Sequence, residues 1–218
     1  MSFTPPKGLR WAWEVVGGLS RTTKMPGFSH SVPATACNVG SRLALVPDSP
    51  CSKCYARRGN YRWPNVKKVL ANRLARLADE RWVEAMVALI NYTSLEKRGK
   101  RSKYFRWHDS GDVQSPAHLE AIFEVCRQTP EVHHYLPTKE YGLIKQYGHL
   151  VPDNLVVRVS AARWDQPPIN VGLGTTSTVH RESPPVGFAC PSMQQDHQCA
   201  DCRACWDPGV PNISYQYY

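Results

Sequence analysis

Leu155-Val-Val-Arg-Val-Ser160 is a run of β-branched and apolar residues bounded by polar turn formers, and it reads as a strand. Upstream of it, His133 to Leu136 is a shorter strand candidate, followed by Pro137-Thr-Lys-Glu140 and a helix through about Leu143 to Tyr147. Before that, Ser115-Pro116 marks a helix start, because Ser caps well and Pro fits the first helical position. Leu119, Ile122, Phe123 and Cys126 then mark the buried face of that helix. Lys103 to His108 is another strand candidate, ending in the polar turn Asp109-Ser-Gly-Asp112. Strand, helix, strand, helix, strand in succession argues for an α/β fold with a parallel sheet and crossover helices.

Further out the signals weaken. Between Pro64 and Leu95 there is no Gly or Pro, and Val66, Leu70, Leu74 and Leu77, then Trp82, Met86, Leu89 and Ile90, recur at helical spacing. One long helix or two consecutive ones are expected there. Phe28 to Ala36 fits a strand that delivers Cys37 to the end of the sheet, although Pro33 interrupts it. Residues 1–27 form a loop-rich opening segment, with a short element around Trp11 to Val16. Residues 162–187 read as a long loop with a short strand near Gly172 or Val186. The expected organisation is one domain over 1–218, with a βα core over 28–165 and a cysteine-rich metal-binding segment over 186–218.

The 218 residues, 42% hydrophobic, suffice to bury a core without disulfides. No signal-like N-terminal segment is visible, and no apolar run approaches about 18 residues. No membrane span is therefore expected, and the setting is expected to be cytoplasmic. Thiols stay reduced there, so closely spaced cysteines point to metal ligands or redox groups. The net charge of +9 attracts polyanions. Lys97, Arg98, Lys100, Arg101, Lys103 and Arg106 crowd together, and Arg57, Arg58, Arg62, Lys67 and Lys68 form a second stretch. Tyr55, Tyr61, Trp63, Tyr104 and Trp107 are interleaved with these charges and offer rings for stacking on bases, so nucleic acid is a candidate partner beside the blander reading of solvated faces.

Seven of the eight cysteines fall in two sets. Cys190-x8-Cys199-x2-Cys202-x2-Cys205 has four thiols, and its close C-x2-C-x2-C core is like the loops that wrap a cubane iron-sulfur cluster. Cys37-x13-Cys51-x2-Cys54 has three, which on a [4Fe-4S] cluster leave one iron open. Zinc is the alternative metal at both, with His30 or His108 as a fourth ligand to the first set. A single cluster shared between the two ends also satisfies the count. Cys126 stands apart. In parallel α/β sheets ligands gather beyond the carboxyl ends of the strands, where Cys37, Asp109 to Asp112, Lys139 and Ser160 to Arg163 are expected to converge. Asp109, Ser110, Gly111 and Asp112 suit an amino group or ribose hydroxyls, or merely end a strand. Lys139 and Glu140 suit a carboxylate or phosphate, or lie exposed. Of His133 and His134, one is expected in the core, and Trp206 is expected to shield the metal site.

The chain resembles the phage gene product 88-like family and, more remotely, the radical S-adenosylmethionine superfamily. The resemblance rests on Pro50-Cys-Ser-Lys-Cys-Tyr-Ala56, Arg106-Trp-His-Asp-Ser-Gly-Asp-Val113, Leu136-Pro-Thr-Lys-Glu140, Asn154-Leu-Val-Val-Arg-Val-Ser160 and Cys199-Ala-Asp-Cys-Arg-Ala-Cys-Trp206. It implies a partial TIM-like barrel carrying one or two [4Fe-4S] clusters. It also implies binding of S-adenosylmethionine, whose amino group Gly111 and Asp112 would hold, and its reductive cleavage with the help of an electron donor. The superfamily spaces its three cysteines C-x3-C-x2-C, whereas the first interval here is thirteen residues.

Overall fold

A computed structural model of the protein describes residues 5–94 and 102–217. Among these, seven strands form one sheet: β1 (Phe28–His30), β2 (Tyr104–Trp107), β3 (His133–Thr138), β4 (Leu155–Ser160), β5 (Thr176–His180), β6 (Phe188–Ala189) and β7 (Asn212–Gln216). Their order is β1-β2-β3-β4-β5-β7-β6, and every pairing is parallel. The parallel α/β architecture therefore stands, but the sheet is open, and the TIM-like barrel is not found. Its edges are β1 and β6, with three and two residues. Such short edges offer too few ladder positions to join across a closed, sheared barrel. No helix of the described residues is long and apolar enough to cross a membrane.

The helices are α1 (Arg10–Val16), α2 (Asn38–Leu43), α3 (Pro64–Arg76), α4 (Trp82–Ser94), α5 (Pro116–Arg127) and α6 (Tyr141–Tyr147). Ser115 caps α5 as expected, its hydroxyl accepting from the His118 N–H at 3.1 Å. The helical run after Pro64 splits into α3 and α4. At the break Asp79 accepts the Arg81 N–H on its side chain at 2.9 Å and the Trp82 N–H on its carbonyl, an arrangement that competes with continued helix. The strand from Phe28 ends at His30, well short of Cys37. Pro33 has no N–H for a ladder and opens a 3-10 turn over Ala34–Ala36, so Cys37 arrives as the N-cap of α2 instead. The presumed loop over 162–187 contains β5, and the cysteine-rich segment supplies β6 and β7 to the sheet.

Alternation along the strands separates two faces. Phe105, Trp107, Leu136, Leu155, Val157 and Val159 join residues of α1, α4 and α5 in one buried cluster. Trp107 is fully buried there and is not a stacking surface for bases. The other face presents Tyr135 and Arg158, over which the 3-10 turn Ala204–Trp206 lies. Trp206 is anchored there, its indole N–H donating to the Phe105 carbonyl at 3.0 Å and its ring edge-on to Tyr104 and Tyr135. Of the neighbouring histidines, His134 is buried against Thr129 at 2.8 Å, while His133 stacks on Tyr104 near the surface. Lys97, Arg98, Lys100 and Arg101 lie outside the described residues.

His30, His108 and His118 form a buried group beneath the first face. His30 lies 3.4 Å from the Val16 carbonyl, and the His108 and His118 rings meet edge to face at 5.4 Å. Burial pushes all three imidazoles, and His134, below their usual value, to about 4 for His118 and about 3 for His134. The unfolded chain takes protons on these rings below about pH 6.5 while the folded chain does not, so stability is present above that pH and is lost as pH falls. Asp112, raised by burial to about 6, opposes this between about pH 6 and 4, but it is one group against four. Each excluded proton costs on the order of 1.4 kcal/mol per pH unit. Urea denaturation should therefore show a lower midpoint at pH 5.0 than at pH 7.5, and a His134→Gln protein should lose part of that difference; an unchanged midpoint would contradict the assignment.

Candidate metal centre

The first thiol group sits at the carboxyl edge of the sheet. The 3-10 turn Pro50–Lys53 carries Cys51 and is fixed by Ser49, whose hydroxyl accepts from the Cys51 N–H at 3.2 Å and donates to the Ala162 carbonyl at 2.7 Å. Cys37 is held from the other side, because Glu140 accepts the Val39 N–H of α2 at 3.0 Å. Glu140 is buried, so the exposed reading of this residue fails; it ties the cysteine loop to the end of β3. Cys37 and Cys51 converge over Gly40. A Cβ at that position would stand 3.0 Å from the Cys37 Cβ, 3.5 Å from its Sγ and 3.8 Å from the Cys51 Sγ. A side chain there would press on the Cys37 Cβ, while both sulfurs would remain at ordinary contact distance.

Charges around these thiols explain their behaviour. Burial, then the Asp112 carboxylate, then Cys54 and Cys51 push the Cys37 thiol up to about 12, with Arg57 acting the other way. Burial also raises Cys51, opposed by the Lys139 ammonium. Lys139 is itself lowered by burial, opposed by Cys51, Asp112 and Cys54. Cys37, Cys51, Cys54, Asp112 and Lys139 therefore lie near enough to one another to interact electrostatically. Burial thus favours the protonated forms of Cys37 and Cys51, and a metal that ionised them would release protons.

The aspartates of the turn are well supplied with internal donors. Asp109 accepts from the hydroxyls of Ser29 at 3.0 Å and Tyr61 at 3.1 Å, and from Ser31. Asp112 accepts from Thr138 at 2.6 Å, the Lys139 N–H at 2.9 Å and the Val113 N–H at 2.8 Å. Ser110 donates to the Val32 carbonyl at 3.0 Å. Gly111 has φ +80° and lies so close to Val32 that a Cβ would fall 2.4 Å from its Cγ2. The turn therefore packs the end of β2 onto the chain leaving β1. His30 and His108, the suggested fourth ligands, point into the helix-covered core instead.

The second group lies across the other face of the sheet. β6 ends directly on Cys190, whose N–H donates to the Ser214 carbonyl of β7 at 2.9 Å. Cys199 is tied to the opening segment through its N–H and the Lys24 carbonyl at 2.8 Å. Cys205 lies 3.4 Å from the Tyr215 hydroxyl, which is 3.0 Å from that of Tyr135. Burial raises Cys205 to about 11, with Tyr215 and Arg106 opposing and Cys190 and Cys199 adding to the rise. Burial, then Cys190 and Cys202, raises Cys199. The four thiols act on one another, and none of the leading influences on them comes from the first group. Arg106 stands between, since it also bears on Tyr55 beside Cys54.

Arg158 fixes this second loop. It is fully buried, and its five N–H donors meet five carbonyls: Cys205 at 3.2 Å, Thr176 at 3.3 Å, and Ala204, Asp207 and Val210 each at 2.8 Å. The signal was present in the sequence as an arginine within an apolar strand. Arg106, Tyr135 and Tyr215 carried no comparable signal, because their partners lie far along the chain.

Among the described residues, no three His, Cys, Asp or Glu side chains converge closely enough to hold a single metal ion. Ligands of one zinc ion stand about 2.3 Å from it, so either group would have to close in around zinc. Two recesses of about 250 Å³ each open near Ile169, Val171 and Leu173 and near Val151, Leu155 and Pro208, at the amino-terminal edge of the sheet, away from the first thiol group.

A family model described as Gene product 88 matches residues 16–208. No curated protein and no solved structure matches the chain. The radical S-adenosylmethionine likeness has no counterpart in these comparisons. Replacing Arg158 by Leu leaves five buried carbonyls without their donor and should cost about 3–5 kcal/mol, as breaking a buried charged network does. Denaturant unfolding measures that loss, and limited proteolysis should then cut within 199–210 faster than in the parent protein.

Proposed function

The chain belongs to the Gene product 88 family, and from its two thiol groups we propose that it is an iron-sulfur protein. In this reading Cys190, Cys199, Cys202 and Cys205 hold a closed [4Fe-4S] cluster. Cys37, Cys51 and Cys54 hold a second, with one iron open to a small ligand. The observation that carries it is the grouping of seven free cysteines into two sets of neighbouring thiols, with Cys37 and Cys51 both beside Gly40. All-sulfur donors suit clusters of iron.

The open position has partners suited to an amino acid moiety. Lys139 brings an ammonium beside Cys51, and Asp112 brings a carboxylate beside Cys37. An α-amino and α-carboxylate pair, as in S-adenosylmethionine, is complementary to both. To engage it, Lys139 releases the Ala161 carbonyl and Asp112 uses the acceptor capacity left beside its three internal donors. A cluster there supplies single electrons drawn from an external donor. Arg57 offsets the negative charge gathered around Cys37, and Glu140 keeps α2 and its cysteine in place.

Iron and sulfide analysis with EPR on anaerobically purified protein tests this. Iron and sulfide sufficient for two clusters are expected, with a reduced signal that changes on adding S-adenosylmethionine. Cys202→Ala should lose one cluster and keep the responsive signal, and Cys54→Ala should do the reverse. Zinc alone would sink the cluster reading. Iron with a spectrum indifferent to S-adenosylmethionine in every variant would remove that ligand and leave the clusters.

A further inference from the structure

Beside the first thiol group the surface is built of cations and exposed rings. From Ser49 to Ala78 the chain contains no acidic residue. Asp48, at its border, is occupied by Arg163 at 3.0 Å. Two arginines of the stretch are consumed internally. Arg57 donates to the Ala34 carbonyl and the Ser41 hydroxyl, and Arg73 donates to the Gly17 carbonyl and Ser20. Lys53, Arg58, Arg62, Lys67 and Lys68 are exposed and have no carboxylate partner among the described residues.

The rings are set for faces rather than for packing. Tyr55 and Tyr61 turn their hydroxyls inward to Asp109, which fixes both rings, and Tyr55 remains 57% exposed. Trp63, at the N-cap of α3, is 55% exposed and has no aromatic partner among the described residues. A tryptophan face open to water between unpaired cations is available for a base to stack on.

We propose that this surface, between Lys53 and Lys68, binds single-stranded nucleic acid, with phosphates on the free cations and a base stacked on Trp63. The chemistry favours a strand over a duplex, because a duplex hides its base faces and leaves the aromatic rings unused. An acidic peptide would satisfy the cations alone. The surface lies on the loop that carries Cys51 and Cys54, yet its binding does not depend on the iron-sulfur reading.

Fluorescence anisotropy with labelled 20-nucleotide dT and rU strands, a DNA duplex and heparin tests it, on the full chain and at several salt concentrations. Both single strands or one of them should bind more tightly than the duplex and quench tryptophan emission. Trp63→Ala should weaken strand binding about tenfold, and Trp63→Phe should restore most of it. Arg58→Gln and Arg62→Gln should each lower the slope of log affinity against log salt by about one. Trp63→Ala should leave the iron and sulfide content of the protein unchanged, which separates this outcome from failure of the cluster reading. Absence of strand binding at low salt, or binding that heparin and duplex match and Trp63→Ala leaves unchanged, would overturn it.

Discussion

The guanidinium of Arg158 is the contact on which the second half of the molecule depends. A buried arginine without a carboxylate is ordinarily a severe cost, and here five main-chain carbonyls solvate it. Four of those carbonyls belong to residues 204–210, so the ion and the loop need each other. The loop has little regular structure of its own beyond short 3-10 turns, and its own hydrogen bonds would not hold it. Through Arg158 it becomes a lid on one sheet face, with Trp206 seated between Tyr104 and Tyr135.

The sheet then acts as a partition. Helices and apolar side chains cover one face, and arginines, tyrosines and the four-thiol loop cover the other. The three-thiol group stands at the edge, where the chain leaves β1, β2 and β3. Arg106 links the two neighbourhoods: its side chain reaches Met25 at 2.8 Å and lies over the Tyr135 ring at 5.7 Å. A cation at this junction opposes the upward push on the Cys199 and Cys205 thiols.

Local signals proved legible where local physics decides. Leu155–Ser160 is a strand with the bounds its composition suggests, and Ser115 caps a helix as its chemistry requires. The parallel sheet followed from alternation alone. The end of β1 was not legible, because Ser31 and Val32 look like strand residues until the Ser110 carbonyl claims the Val32 N–H. β5 was hidden because Thr176–His180 is polar and lies among Pro and Gly. In the site, Glu140 reads from sequence, with Lys139, as an anion contact or an exposed residue, whereas folding sets it on the Val39 N–H; Gly40 had no sequence signal, because Cys37 and Cys51 are brought beside it by folding. Trp107 misled, since a ring beside basic residues can equally face the core.

β7 follows β6 in the chain but lies between β5 and β6. Translation therefore delivers β5, β6 and the four-thiol loop before the strand that joins them exists. Until Asn212–Gln216 slots in, Cys190 lacks the Ser214 carbonyl, Cys205 lacks the Tyr215 hydroxyl, and Arg158 lacks its Val210 acceptor. Such a long-range insertion is a late folding event. Closure of the loop around its four thiols is thereby coupled to the docking of β7, a strand that follows them in the chain.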